Sequence, residues 1–275
     1  MNYWIKKKMN ILLLDAYNLI YRARYSGMNK GDHSTVFNFF RGLRPLVEKF
    51  KPDLAYFVLE GMPKKRLSLD PNYKGQRTYD NKDGFREQRK QIINIMKDFF
   101  PIQTIKHEDY ECDDVIGHLA TTLKKDNNVT IISSDTDFIQ CIDDNVQLYN
   151  PVRKKFLEKP EYDYILWKSL KGDASDNIIG FTGIGDKKAQ KLCKNKDQLE
   201  KFLIEEGRKE KLDHNITMIK LHDLSHEKDS FLVYPMPAKP DWVNLREIFG
   251  NMDFHSMVGK DTTWKKYVDT FQNLF

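Results

Sequence analysis

Ile11-Leu12-Leu13-Leu14-Asp15 is an apolar run closed by a carboxylate, and the pattern returns at Tyr56-Phe57-Val58-Leu59-Glu60 and at Val129-Thr130-Ile131-Ile132-Ser133-Ser134-Asp135. A short apolar run bounded by polar residues reads as a strand buried on both faces, as in a parallel sheet. Ligands of open α/β sheets collect outside the carboxyl ends of the strands. Three such strands therefore aim three negative charges at one crevice. Like charges at close range repel, so a divalent cation is needed to hold them together. Each acid alone also reads as an ordinary helix cap or turn. It is the repetition after apolar strands that weakens that reading.

Working outward, strand 9–15 is followed by a helix near 34–50, a strand at 54–60, a helix near 85–99 and a strand near 102–106. A helix at 111–125, a strand at 129–134, a short helix near 137–142 and a strand at 146–150 complete the series. This βαβ alternation predicts a parallel sheet with helices on both faces. Beyond about residue 160 strand signals fade and lysine becomes frequent, so 160–275 is expected to be a helical subdomain packed on a core of 9–159.

The composition, with 40% hydrophobic and 31% charged residues in 275, is that of a soluble globular protein. No apolar run reaches the length of a membrane span. The start carries Lys6-Lys7-Lys8 without a signal-peptide cleavage site, and strand 9–15 makes the prefix 1–8 look dispensable. Three cysteines (Cys112, Cys141, Cys193) without metal spacing point to a reducing, cytoplasmic setting.

Further acids cluster at Glu111-Cys112-Asp113-Asp114, Asp135-Thr136-Asp137 and Asp173-Ala174-Ser175-Asp176. With Asp15 and Glu60 they make nine candidate ligands: Asp15, Glu60, Glu111, Asp113, Asp114, Asp135, Asp137, Asp173 and Asp176. All are oxygen donors, which suits Mg²⁺, with Mn²⁺ able to substitute. Mg²⁺ keeps several waters and takes few carboxylates, so this many acids point to two ions. Two metals roughly 3.5–4 Å apart activate a water and stabilise the leaving oxygen of a phosphodiester.

Charge placement agrees. Between Met62 and Lys90, nine lysines and arginines face four acids, an excess equal to the +5 of the whole chain. A basic segment beside an acidic site suits a phosphate polymer, although a solvated basic loop is the plain alternative. Within it, in Tyr73-Lys74-Gly75-Gln76-Arg77, Lys74 and Arg77 are placed to offset charge on a scissile phosphate, and Tyr73 to stack on a terminal base. In Gly183-Ile184-Gly185-Asp186-Lys187-Lys188-Ala189, two glycines precede a helix start. Backbone amides of Gly183 and Gly185 can meet a phosphodiester there, and Lys187 and Lys188 supply charge.

Taken in order, L-L-L-D, Y-K-G-x-R, E-x-D-D, S-S-D-x-D, G-D-x-S-D-N and G-I-G-x-K-x-A resemble the flap endonuclease and 5′→3′ exonuclease family. That family includes phage 5′-nucleases, the ribonuclease H of T-even phages and the N-terminal domain of bacterial DNA polymerase I. The resemblance spans about residues 9–225 and is strongest to the phage-type members. It implies a PIN-like α/β fold with a helical arch at about 62–90. It implies that Asp15, Glu111, Asp113, Asp135, Asp137 and Asp173 bind two Mg²⁺, with Asp114 and Asp176 as further ligands or outer supports. Lys74 and Arg77 become the arch residues at the scissile phosphate. Residues 172–195 become a helix-three-turn-helix on duplex DNA, often with a K⁺ ion. The implied activity is that of a monomeric structure-specific 5′-nuclease on flapped, nicked or RNA-primed DNA in primer removal. A single-stranded DNA-binding protein, a sliding clamp and a polymerase are the protein partners it brings into view. One departure is Glu60, where the family usually has Asp, which puts its direct ligation in question. A PIN-type ribonuclease and a silent DNA-binding module are the rival readings. The arch segment and glycine pair oppose the first, and the nearly intact acid set opposes the second.

Overall fold

The structure, a computed structural model, describes residues 7–27, 31–77, 84–227, 230–272 and 274. Residues 1–6 of the prefix and 78–83 of the basic segment, including Lys82, lie outside the described residues.

The chain runs β1 (Asn10–Asp15), α1 (Ala16–Arg24), α2 (Ser34–Phe50), β2 (Leu54–Val58), α3 (Lys64–Leu69), α4 (Phe85–Phe99) and β3 (Gln103–His107). It continues through α5 (Cys112–Leu123), β4 (Asn128–Ile132), a 3₁₀ turn at Asp137–Cys141, β5 (Val146–Asn150) and β6 (Lys155–Leu157). These strands form one sheet in the order β6-β5-β4-β1-β2-β3, closed at the far edge by a later strand. The five strands from β5 to β3 are parallel, and β6 is antiparallel.

Strand β1 lies at the centre, which explains why it is apolar on both faces. Leu12 and Leu14 pack with α1, α2 and α4, while Ile11 and Leu13 pack with α5 on the other side. Each such burial contributes about 1.5–3 kcal/mol, so a one-residue slip of β1 would be strongly opposed. In register, Asp15 lies beside Val58 and Leu14 beside Ile132. The residues just past all three strands therefore emerge at one edge, as expected for a parallel sheet.

Residues 160–275 divide in two. The first part holds α6 (Tyr164–Lys171), a ribbon of β7 (Gly172–Asp173) and β8 (Ile178–Ile179), α7 (Asp186–Lys194), α8 (Lys196–Leu203) and α9 (Arg208–Ile219). Leu170, Phe181, Ile184, Ala189, Leu192 and Leu212 form its own small core. The second part returns to the main body. β9 (Phe231–Val233) pairs antiparallel with β3 as the far edge of the sheet. α10 (Trp242–Asn251), α11 (His255–Val258) and α12 (Asp261–Phe271) then bury Phe249, Phe254, Trp264 and Phe271 with Phe40 and Phe100. Residues 160–275 are thus mostly helical, and their strands are the short β7, β8 and β9, each of three residues or fewer and too short to show an alternation in sequence.

Among the described residues no helix is long and apolar enough to cross a membrane, and the three cysteines are unpaired.

Candidate active site

Asp15 ends β1 and caps α1, with Oδ1 accepting from the Asn18 N–H at 3.0 Å. Its other oxygen accepts from the Ser133 hydroxyl at 2.7 Å. Ser133, fully buried, in turn accepts the Asp135 N–H at 3.0 Å. Asn18 and Ser134 complete a tie between α1 and the loop after β4, at 2.8 Å and 3.0 Å. Capping a helix and ending a strand at the crevice are therefore compatible for Asp15: one oxygen holds α1 and the other is held by Ser133. Asp135 does the same locally, accepting the Asp137 N–H at 2.8 Å.

Glu111, at the N-terminal boundary of α5, is 2% exposed and holds the densest set of partners. Lys74 Nζ pairs with Oε1, while the Tyr73 hydroxyl and Arg66 Nη1 each donate to Oε2 at 2.9 Å. The Tyr73 hydroxyl also donates to Asp176 at 3.1 Å, and Arg77 Nη2 pairs with Asp176 at 2.6 Å. Lys74 and Arg77 thus contact acids of the cluster, and so does Tyr73. Its ring is buried, packed with Ile178, Met218 and Ile219. The base-stacking expectation is corrected: Tyr73 orients carboxylates and presents no open ring face. Lys74 adopts a left-handed backbone (φ +55°), uncommon for a non-glycine residue and typical of functional turns.

Of the two places open to Asp114, further ligand or outer support, its contacts are those of a support. Both of its oxygens are taken by Arg66, at 2.6 Å and 2.9 Å, and Oδ1 also accepts the His222 N–H at 2.9 Å. With no exposure left, it supports its neighbours and is closed to a cation.

Asp137, Asp173 and Asp176 each offer one oxygen within 4.8 Å of the others. Lys168 bridges the first two, pairing with Asp137 and lying 2.6 Å from Asp173 Oδ2. Asp173 is positioned by the ribbon. Gly172 has φ +85°, and a Cβ there would lie 2.3 Å from the Gly180 nitrogen, so only glycine permits this approach. Asp15, Glu60, Asp113 and Asp135 act on one another electrostatically, each disfavouring the ionised form of a neighbour.

Burial and the facing acid Asp135 outweigh the Asn18 and Ser133 hydrogen bonds and raise Asp15 to about 6. Glu60 is pushed up to about 8 by burial and then by Glu111, with Lys74 acting in the opposite sense. Burial, Asp135, Asp15 and Glu60 raise Asp113 well above the usual carboxylate range. Asp137 rises to about 6 through burial, despite Lys168. Asp173 goes the other way: burial would raise it, but Lys168 and Ser175 together hold it below its ordinary value. Crowded, desolvated carboxylates of this kind are what a hard cation relieves, and the donor set is all oxygen. The residues fit divalent-metal binding.

Where α7 begins, on the far side of its packing with α6, Gly183, Gly185, Lys187 and Lys188 are all exposed. Gly183 has φ +74°, whereas Gly185 is in ordinary extended backbone with open space around it. No side chain caps the first amides of α7, which leaves them facing outward.

Two residues central to this geometry escape a reading of the sequence. Arg66 is one of many bases in a basic segment, and its partners lie 45 to 154 positions away. Lys168 does carry a signal. It stands four residues after Tyr164 on the buried face of α6, where a lysine needs an acid partner.

Residues 10–165 match the family described as 5′-3′ exonuclease, N-terminal resolvase-like domain. The chain belongs to the 5′-3′ exonuclease family. It is 32% identical over 218 residues to a DNA polymerase I of Bacillus subtilis (strain 168), covering 72% of this chain but 24% of the relative. It is 30% identical over 209 residues to a 5′-3′ exonuclease of Mycoplasmopsis pulmonis (strain UAB CTIP), covering 71% of this chain and 70% of that one. The chain thus spans about a quarter of the polymerase relative and most of the exonuclease. A bacteriophage T5 flap endonuclease, solved in a pseudo-enzyme-product complex with DNA and metal ions, is similar in fold. Its TM-score is 0.64 at 20% identity, over 96% of this chain and 99% of that one. This likeness supports the PIN-like α/β architecture.

Proposed function

We propose that this member of the 5′-3′ exonuclease family is a structure-specific 5′-nuclease. It hydrolyses phosphodiesters in flapped, nicked or RNA-primed DNA, with primer removal as the replication role. The observation that carries the reading is one juxtaposition. Buried acids converge at the carboxyl edge of the sheet with Lys74 and Arg77 set on them, and α6, whose Lys168 pairs with two of those acids, packs against α7 with its exposed glycine–lysine start.

The core set Asp15, Asp113, Asp135, Asp137 and Asp173, with Glu60, Glu111 and Asp176 adjoining, would hold two Mg²⁺, or Mn²⁺ in their place. When bound, the ions supply polarisation of the phosphate and activation of water. The chain's own residues do the rest. Lys74 and Arg77 bring positive charge to the crevice, where it opposes the charge that grows on a reacting phosphate. Ser133 and Asn18 fix Asp15 and the loop after β4. Tyr73 and Arg66 fix Glu111 and Asp176. The amides of Gly183 to Lys187, with Lys187 and Lys188, would grip duplex backbone behind the reacting bond, with K⁺ as a candidate ion there. The named relatives support a polymerase as the first partner to test, with a sliding clamp or a single-stranded DNA-binding protein next, and a monomer as the working unit in the cytoplasm.

The test is cleavage of end-labelled flap, nicked and RNA-primed duplexes in Mg²⁺ or EDTA, with Asp15→Asn alongside. Asparagine caps a helix about as well as aspartate, so this variant keeps the α1 cap while it removes the ligand charge and turns the Ser133 contact from acceptor to donor. Metal-dependent cleavage by the wild type, lost in Asp15→Asn with duplex binding kept, is expected. Cleavage in EDTA, or near-wild-type cleavage by Asp15→Asn, would overturn the assignment.

A further inference from the structure

The guanidinium of Arg66, 3% exposed, has five N–H donors, and all five are used. Nε donates to Met218 O at 2.9 Å. Nη1 reaches Glu111 at 2.9 Å and Asp114 at 2.6 Å. Nη2 reaches Asp114 at 2.9 Å and Lys220 O at 3.2 Å. Three separate segments meet on this one side chain: α3 before the Tyr73-Lys74 turn, the start of α5 with Glu111, and the end of α9.

The α9 end matters because Met218 and Lys220 belong to the last turn and cap of that helix, where carbonyls lack intrahelical partners. A cation there also meets the negative end of the helix dipole. The other end of the same link lies in the DNA-facing module. Asn215 on α9 donates to Ser169 O at 2.9 Å and Ile179 O at 3.1 Å, and Lys211 donates to Gly180 O at 2.8 Å. Ile179 and Gly180 lead directly into the Gly183–Gly185 turn. A path of backbone and hydrogen bonds therefore runs from the segment before that turn, Ile179-Gly180, onto α9, along the helix to Arg66, and from Arg66 to Glu111.

We infer that Arg66 is a positioning residue that couples docking of duplex DNA on the α6–α9 module to the orientation of Glu111 in the acid cluster. The inference rests on the nuclease reading above. Lysine at this position keeps the charge but is a point donor without the fork. It cannot hold two carboxylates and two carbonyls in one plane.

The test uses the full chain and the Arg66→Lys and Asp114→Asn variants, each first checked for cooperative melting. On a 5′-flap duplex, Arg66→Lys is expected to lower kcat by roughly 10–100-fold, the usual loss when a group that orients a ligand is removed, with KM nearly unchanged. On short single strands, which do not engage the module, the loss should be much smaller. A second readout needs no cleavage. In EDTA, flap duplex should slow amide exchange across residues 111–116 in the wild type, and should fail to do so in Arg66→Lys although the duplex still binds. Asp114→Asn removes the bidentate charge pair while keeping side-chain shape, and should reproduce both effects if Arg66→Lys does not fold. A wild type that cleaves while both variants match it on every readout overturns the coupling alone. Equal losses on flap and single-stranded substrates do the same. A wild type that neither binds nor cleaves the duplex overturns the nuclease reading, and the coupling with it.

Discussion

Lys168 holds its ammonium 2.6 Å from the Asp173 carboxylate and also pairs with Asp137, two acids that converge with Asp176. Its side chain is 11% exposed, so this is a nearly buried cation among acids. Removing one partner of a buried pair costs up to about 3–5 kcal/mol, because the remaining charge is left without compensation. Lys168→Ala should therefore lower the Tm of the metal-free protein, with some of that loss relieved by residual exposure. A divalent cation can substitute for the missing charge, so the Tm gain on adding Mg²⁺ should be larger in the variant than in the wild type. Paired thermal melts in EDTA and in Mg²⁺ measure this, and an equal Mg²⁺ gain in both proteins would count against it.

Much of this site was legible because parallel strands announce themselves. β1, β2 and β4 are apolar on both faces, and the residues just past their carboxyl ends must emerge at one edge, so Asp15, Glu60 and Asp135 could be grouped from sequence. Glu111, Asp137 and Asp173 stood out as members of dense acidic clusters, and the family pattern then implied that they bind metal. The illegible part depends on contacts distant in sequence. Whether Asp114 faces the crevice or Arg66 depends on a helix end a hundred residues later. Whether Tyr73 is open to a base or buried depends on Ile178 of β8 and on Met218 and Ile219 of α9, which only tertiary packing brings to it.

Lys74 is the second test. Its ammonium pairs with Glu111 and lies 3.7 Å from Asp176. In the free protein it balances acids, and in a reacting complex its charge would face a phosphate. A contact that strengthens as charge develops lowers the barrier more than it tightens binding. Lys74→Ala should reduce the single-turnover rate by roughly 10²–10³-fold, in the range seen when one such donor is removed. Flap-duplex affinity should change little by comparison. An affinity loss as large as the rate loss would reduce Lys74 to general backbone binding.

The carboxylates give a pH dependence with a definite sign. Burial and then Glu111 push Glu60 up to about 8 from 4.5. The folded protein thus binds this proton more tightly than the unfolded chain does. Its contribution to stability is full below about pH 4.5 and is lost as pH rises through about 8. Glu60→Gln removes this titration and no other group. In EDTA, the Tm of the variant minus that of the wild type should grow steadily across this range. Cations require ionised ligands, so Mg²⁺ should stabilise the wild type more at pH 8 than at pH 6. A flat difference in EDTA would mean that Glu60 does not titrate in this window.

Gly183 and Gly185 should fail in different ways, because the backbone needs glycine at only one of them. Gly183 has φ +74°, where a Cβ is strained by roughly 1–2 kcal/mol. Gly183→Ala should therefore lower Tm without any DNA present. Gly185 has φ −93° and nothing within 4 Å of an added Cβ, so the fold tolerates a side chain there. Gly185 is also the N-cap of α7, where threonine is accepted about as well as glycine. Gly185→Thr should leave Tm nearly unchanged or raise it, since its hydroxyl can cap an amide that is otherwise open. For the same reason it should weaken duplex binding: the hydroxyl takes the amide, and the branched side chain fills the space a phosphate would enter. Lys187→Ala, in the first turn of the same helix, should lower the slope of log affinity against log salt by about one. Melts combined with salt titrations of flap-duplex binding separate these outcomes. Unchanged duplex binding by Gly185→Thr would mean that phosphate does not approach the start of α7.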